Sequence, residues 1–238
     1  MINLTIDGVQ IEAKEGQSIL SAAREHGIHI PTLCFLEKIN EIGSCRICVV
    51  EVEGLNKLVT ACNTKVKEGM NITTDSPAVI ESRKNTLHLL MAEHKTNCFK
   101  CIKNGACELQ AMAREYGIDV PNFKSSHGDV QHEPFDAHPF LSYDPGLCIQ
   151  CQRCISTCAK ATGRHALSLE RNGARVYVKV PFGEGWRIPY ASLAETVLRH
   201  VQQVLLQLRE EKITVNGKLR KSAQPVHTVL QAVRWTCT

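Results

Sequence analysis

Aromatic side chains are scarce in this 238-residue chain: six Phe, four Tyr and two Trp make up 5% of it. Lysines and arginines never gather into a long block, and the formal charge is a modest +4. Without a basic stripe or interleaved aromatics, a nucleic-acid partner is not expected. No apolar run approaches the roughly 18 residues that a membrane-spanning helix needs. Direct membrane insertion is therefore not expected, although peripheral attachment to a membrane complex stays open. The opening Met1-Ile2-Asn3-Leu4-Thr5 has neither a charged n-region nor an apolar h-region, and it reads as a strand.

What the chain does have is cysteine. Of its 12 cysteines, all but Cys237 fall in three spaced groups, which suits metal thiolates in a reducing compartment better than a disulfide framework. The expected location is cytoplasmic.

Residues 2–13 alternate apolar and polar around Asp7-Gly8, a direct hairpin signal. Ser18 is placed to cap a short helix with Ile19, Leu20, Ala22 and Ala23 on its apolar side, stopped at Gly27. Later runs, CVVEVEG and LVTACNT, supply a further strand pair. These are the parts of a small sheet wrapped over one helix. The irregular stretch between them carries Cys34, Cys45 and Cys48, and Cys62 follows on the last strand, giving C-x10-C-x2-C-x13-C. Four thiolates can hold two irons with bridging sulfides, and Gly43 and Ser44 let backbone N–H groups approach that negative charge. A structural zinc is the alternative that four thiolates leave open.

Asp75 or Ser76 caps the next helix, Pro77 takes an early position in it, and Val79, Ile80, Arg83, Leu87, Leu90 and Met91 mark its inner stripe. The helix delivers His94 to a second set, H-x3-C-x2-C-x5-C, made with Cys98, Cys101 and Cys107. Such a set can close around a cubane with one imidazole ligand, and exchanging a thiolate for neutral imidazole should raise the potential. His88, six residues earlier on the helix, points away from His94. The helix after Cys107 is read as a support with Leu109, Met112 and Ala113 inward.

Residues 119–147, rich in proline and poor in periodicity, read as an ordered wrapping loop whose His127, His132 and His138 are surface residues. The third set, Cys148, Cys151, Cys154 and Cys158, is C-x2-C-x2-C-x3-C, a strong [4Fe-4S] pattern. In two-cluster ferredoxins the fourth cysteine of such a run serves the other cubane, so the fourth position here falls to Cys158, to the distant Cys237 or to a non-cysteine ligand, or the site stays open or holds no stable cluster. A hairpin about Asn172-Gly173 follows, and 192–212 reads as an amphipathic helix on Leu193, Val197, Val201, Val204, Leu205 and Leu208. Near the end, ITVNGKLRKS resembles a further hairpin.

Taken together, these motifs over residues 1 to about 183 resemble the N-terminal iron–sulfur region shared by the large electron-input subunit of respiratory NADH dehydrogenase, iron-only hydrogenases and NAD-dependent formate dehydrogenases, and by the small diaphorase subunit of NAD-reducing hydrogenases. The resemblance implies an α+β chain. It begins with a β-grasp [2Fe-2S] ferredoxin domain over 1–76, continues with a histidine-ligated [4Fe-4S] domain over 77–118 and a partial ferredoxin-like [4Fe-4S] module over 119–183, and ends in an atypical helical tail over 184–238. It implies one [2Fe-2S] and one or two [4Fe-4S] clusters, and single-electron relay between a flavin-bearing NADH-oxidising subunit and a hydrogenase, formate dehydrogenase or quinone-reducing partner. No nucleotide-binding glycine fingerprint or catalytic triad appears, so the chain reads as a subunit or fragment of an oxidoreductase complex that is not catalytic alone. The input end of a formate dehydrogenase or iron-only hydrogenase is one alternative, and a zinc-stabilised binding module is another.

Overall fold

The computed structural model describes residues 1–101, 103–119, 135–138, 141–163, 165–172, 175–179, 206–208, 214–215 and 218–219. The chain divides into two units, Met1–Val130 with Cys148–Arg153, and Gln131–Leu147 with Cys154–Thr238.

The first unit opens on β1 (Ile2–Ile6) and β2 (Val9–Ala13), antiparallel with Ile6 opposite Val9. Asp7 and Gly8 are thus a two-residue turn, and their φ values of 49° and 81° supply the left-handed pair that a type I′ turn requires. Helix α1 (Ile19–Glu25) starts where the Ser18 hydroxyl accepts the Ser21 N–H at 3.2 Å, and it buries Ile19, Leu20, Ala22 and Ala23. The expected strand pair is β3 (Val49–Val52) with β4 (Val59–Thr60).

One strand was not expected. β5 (Asn71–Thr73) enters the middle of the sheet, giving the order β2-β1-β5-β3-β4, parallel to β1 and antiparallel to β3. Its only buried side chain is Ile72, too little for any periodicity to register. The Asp7 carboxylate fixes its far end by accepting from the N–H and the hydroxyl of Thr74, both at 2.7 Å. The main core lies between this mixed sheet and α1, with Leu4, Ile6, Ile11, Val50, Val52 and Ile72 facing the helix residues.

Helix α2 (Pro77–Glu93) is capped by Ser76, whose hydroxyl accepts the Val79 N–H at 3.4 Å. It buries Val79, Arg83 and Leu87, whereas Ile80, expected on the same stripe, is 36% exposed because it stands one residue off the buried line. Helix α3 (Glu108–Glu115) buries Leu109 and Ala113. A second core joins these helices to the cysteine loops: Leu87, Leu109 and Ala113 pack with Leu33, Cys34, Cys45, Ile47, Ile149 and Cys151.

In the second unit, β6 (Phe135–His138) and β7 (Leu141–Tyr143) form an antiparallel pair within the stretch expected to be a loop. The prolines that hid this pair, Pro134, Pro139 and Pro145, all flank the strand residues rather than interrupt them. Helix α4 (Arg153–Thr162) begins on the last residue of the first unit. β8 (Ser168–Asn172) and β9 (Arg175–Lys179) form the expected hairpin, with Asn172 opposite Arg175.

The helix expected over 192–212 is not present at Leu206–Leu208. These residues form β10, paired with β7 through Leu206 opposite Tyr143 and Leu208 opposite Leu141. The local Leu-Gln-Leu alternation has the period of a strand, and a partner strand prevailed over the longer helical pattern. The other positions of that pattern, Leu193, Val197, Val201, Val204 and Leu205, lie outside the described residues. β11 (Thr214–Val215) and β12 (Lys218–Leu219) make the last hairpin as expected. Of the tail expected to be helical over 184–238, Leu206–Leu208 are strand instead, and the other residues of the expected helix lie outside the described residues.

Candidate metal centres

The first cysteine set sits in the loops over the sheet. Cys34 follows Pro31, and Cys45 and Cys48 flank Arg46, whose φ of 59° reverses the chain between them. Cys62 follows β4, where Ala61 N–H donates to the Cys48 carbonyl at 2.9 Å. All four are buried. Cys34 and Cys45 each point a backbone N–H at the other's sulfur, at 3.4 and 3.5 Å.

Their electrostatics show how close the sulfurs lie. The Cys34 side chain pulls the Cys45 thiol down to about 6 against the upward push of burial, with backbone N–H groups of Ile47, Cys34 and Leu33 helping to hold the thiolate. The same pairing, and then burial, pushes Cys34 up. Cys62 likewise lowers Cys48, while Cys48 raises Cys62. Across the pairs, Cys34 feels Cys48, and Cys62 feels both Cys34 and Cys45. Cys34 is thus paired with Cys45, and Cys48 with Cys62.

Gly43 lies two residues before Cys45 in the same loop. Its φ is 66°, and a Cβ there would stand 3.1 Å from both Asn63 Nδ2 and Thr60 Oγ1. Glycine is favoured at that position by its left-handed backbone, and any side chain there would crowd Asn63 and Thr60.

The second set lies along three consecutive elements. His94 is the C-terminal cap of α2, its N–H donating to the Met91 carbonyl at 3.4 Å, and its Nδ1 is buried. Cys98 opens a 3-10 turn (Cys98–Lys100) that Cys101 closes through a 3.1 Å bond from its N–H to the Cys98 carbonyl. Cys107 is the N-terminal cap of α3. The turn at Asn104-Gly105 is braced by Gln110, which accepts from the Gly105 N–H at 2.9 Å and donates to Asn104 Oδ1 at 3.0 Å.

The third set is divided. Cys148 and Cys151 belong to the first unit, and Cys154 and Cys158 lie one turn apart on α4 in the second. Burial pushes the Cys148 thiol up to about 12, and Cys151 is raised for the same reason. The Gln150 N–H donates to the Cys148 sulfur at 3.3 Å, and the Ala166 N–H to the Cys158 sulfur at 3.2 Å. Cys237 lies outside the described residues, as do His127 and His132, while His138 is on β6.

None of the described cysteines is in a disulfide. Among the described residues no three His, Cys, Asp or Glu side chains form a ready-made site for a single metal ion. No helix of the described residues is long and apolar enough to cross a membrane.

Two polar residues at these centres were missed in the sequence. Arg83, read as part of an apolar stripe, is buried and donates to the carbonyls of Ile47 and Val49 at 3.1 and 2.8 Å, either side of Cys48. Asn40 joins the Cys34 loop to the Cys151 loop. Neither carries a local signal, because what each binds is set by backbone brought in from elsewhere.

A loop of four paired thiols above a ferredoxin-like sheet, followed by helices that carry further cysteine sets, defines an iron–sulfur protein of the electron-input class. Residues 1–77 match the family described as 2Fe-2S iron-sulfur cluster binding domain, and residues 83–121 match the NADH-ubiquinone oxidoreductase-G iron-sulfur binding region. The gamma subunit of the NAD-reducing hydrogenase HoxS of Cupriavidus necator is 33% identical over 180 residues, which make up 75% of each chain. The chain belongs to this family of iron–sulfur subunits, shared by NADH dehydrogenases and hydrogenases. The NADH-ubiquinone oxidoreductase 75 kDa subunit of Reclinomonas americana is 34% identical over 163 residues, covering 68% of this chain but 23% of the relative, so the chain spans less than a quarter of the length of such longer proteins. Among solved structures, a chain of an NAD+-reducing [NiFe]-hydrogenase in the H2-reduced state superposes with a TM-score of 0.79 at 28% identity, covering 92% of both chains.

Proposed function

We propose that the chain is an electron-transfer subunit that relays single electrons between a flavin-bearing NADH-oxidising subunit and a hydrogenase, formate dehydrogenase or quinone-reducing partner. The carrying observation is the two-and-two pairing of Cys34 with Cys45 and Cys48 with Cys62 inside a segment that matches a [2Fe-2S] domain family. In this reading those four hold the [2Fe-2S] cluster in a β-grasp domain over 1–76. His94, Cys98, Cys101 and Cys107 hold a [4Fe-4S] cluster within 77–118. Cys148, Cys151 and Cys154, with Cys158 or Cys237, hold a third within 119–183. When bound, these clusters take up and release one electron at a time.

The chain's own residues hold and tune. Thiolates supply the ligands, and backbone N–H groups at Cys34 and Cys45 spread the negative charge that the centre carries. Burial keeps water away and favours the less charged state. Nicotinamide and flavin bind the partner subunit rather than this chain, and the subunit works in the cytoplasm, alone or at the periphery of a membrane complex.

The full chain, purified without oxygen, should carry iron and sulfide, be reduced by dithionite, and show no turnover with NADH, formate or hydrogen. Robust turnover in a preparation free of other proteins would overturn the non-catalytic reading. Zinc in place of iron and sulfide would favour a zinc-stabilised module instead. Co-purification with a partner subunit identifies which kind of complex the chain serves.

A further inference from the structure

Asn40 is fully buried, and a buried carboxamide persists where its hydrogen-bonding capacity is used. Its Nδ2 donates to the Cys34 carbonyl at 2.7 Å and to the Cys151 carbonyl at 3.0 Å, across 111 residues of sequence. Carbonyl oxygens only accept, so these partners identify this end of the side chain as the NH2 group, with one proton given to each. Neighbouring contacts join the same two loops. Ser44 Oγ donates to the Gln150 carbonyl at 3.1 Å, and Arg153 donates to the carbonyls of Phe35 at 2.8 Å and Cys34 at 3.4 Å. Gln150 and Gln152 hold left-handed φ values of 54° and 60°, turning the backbone around Cys151. No strand pairing ties this segment to the Cys34 loop among the described residues; side chains do. Cys151 is also close enough to Cys45 for the two to interact electrostatically.

We propose that Asn40 is a positioning residue for electron transfer, its carboxamide setting the separation between the centre on the first cysteine set and the centre that includes Cys151. It also supplies the hydrogen-bonded link between them, from the Cys34 carbonyl through the amide to the Cys151 carbonyl. The proposal rests on the reading of both cysteine sets as cluster ligands. In the step one electron leaves the reduced centre and enters the oxidised one. No covalent bond changes, and both amide protons stay on Asn40.

Two substitutions separate this role from simple packing. Asn40→Leu keeps the branched heavy-atom skeleton and removes both donors. Asn40→Asp keeps the shape but sets carboxylate oxygens against two carbonyl oxygens. The full chain and both variants are loaded with iron and sulfide without oxygen, and three quantities are measured: iron and sulfide content, the spin–spin splitting in the EPR spectrum when both centres are reduced, and the rate at which an electron from photoreduced flavin redistributes between them. Asn40→Leu should keep wild-type iron and the wild-type spectrum of the first centre. It should show weakened splitting and redistribution slower by about tenfold or more, because small misplacements of reacting groups cost orders of magnitude in rate. Asn40→Asp should be slower still. Unchanged splitting and rate in Asn40→Leu would overturn the proposal while leaving the cluster reading intact. Loss of iron from every centre in both variants would also overturn it, making Asn40 a folding residue. A wild-type chain that carries zinc and no iron would remove the cluster reading and this proposal together.

Discussion

Arg83 donates from Nη1 to the Tyr116 hydroxyl at 3.2 Å, tying α2 to the residue that ends α3, while the rest of its guanidinium holds the Ile47 and Val49 carbonyls. One buried cation thus satisfies backbone on both sides of Cys48. Arg83→Met should leave those carbonyls unpaired and cost about 3 kcal/mol, since each buried polar group left without a partner costs roughly 1–3 kcal/mol. Arg83→Lys should fall between the two, because an ammonium cannot span the fork. Urea denaturation of the loaded chain, followed by circular dichroism, checks the order.

Gly43→Ala should damage the first centre selectively. The added methyl meets Asn63 and Thr60 at 3.1 Å, and an L-residue at this φ carries about 1–2 kcal/mol of strain in addition. Gly105→Ala has the same conformational cost but nothing within 4 Å of the new methyl. The expected result is loss or distortion of the [2Fe-2S] spectrum in Gly43→Ala, with the second centre's spectrum retained. Equal spectra in the two variants would show that space around Gly43 does not matter.

His94→Cys tests the ligand at the end of α2. If His94 holds the second cluster, the exchange adds negative charge, keeps four irons there and lowers the midpoint potential. Potentiometric EPR reads it directly. An unchanged midpoint with four irons present would exclude His94 as ligand.

For the third set, Cys158→Ala and Cys237→Ala are compared by anaerobic iron counting and Mössbauer spectroscopy. Cys158 is fully buried, and its sulfur accepts the Ala166 N–H, so its removal should convert the third centre to a three-iron form or empty it. Cys237→Ala should retain all irons. The reverse pattern would reassign the fourth ligand to Cys237, and full iron in both would point to a ligand other than cysteine.

The hairpin at Asp7-Gly8, the cap at Ser18 and the start of α2 were legible because each is written in adjacent residues. So were the cysteine sets, whose spacing is itself the signal. β5 was not, because a three-residue strand with one buried side chain gains its place from β1 and β3 on either side. Arg83 hid inside an apolar stripe because a long stem can line a core while its head finds backbone that a one-dimensional pattern does not show. At Leu206–Leu208 the helical period was present, and pairing with β7 overrode it. Asn40 lies in a turn-rich loop where asparagine is ordinary, and its importance came only from Cys151.

The position of β5 has a consequence for how the protein is made. All four cysteines of the first set leave the ribosome before β5, yet β5 is the strand that joins β2-β1 to β3-β4. Until Thr73 has emerged, β1 and β3 keep unpaired inner edges, and the four thiols belong to a sheet that is not yet complete. Oxidants that arrive before that moment meet thiols without the completed sheet. Slowing translation just upstream of residue 71 should therefore lengthen the vulnerable interval and lower the yield of loaded first centre.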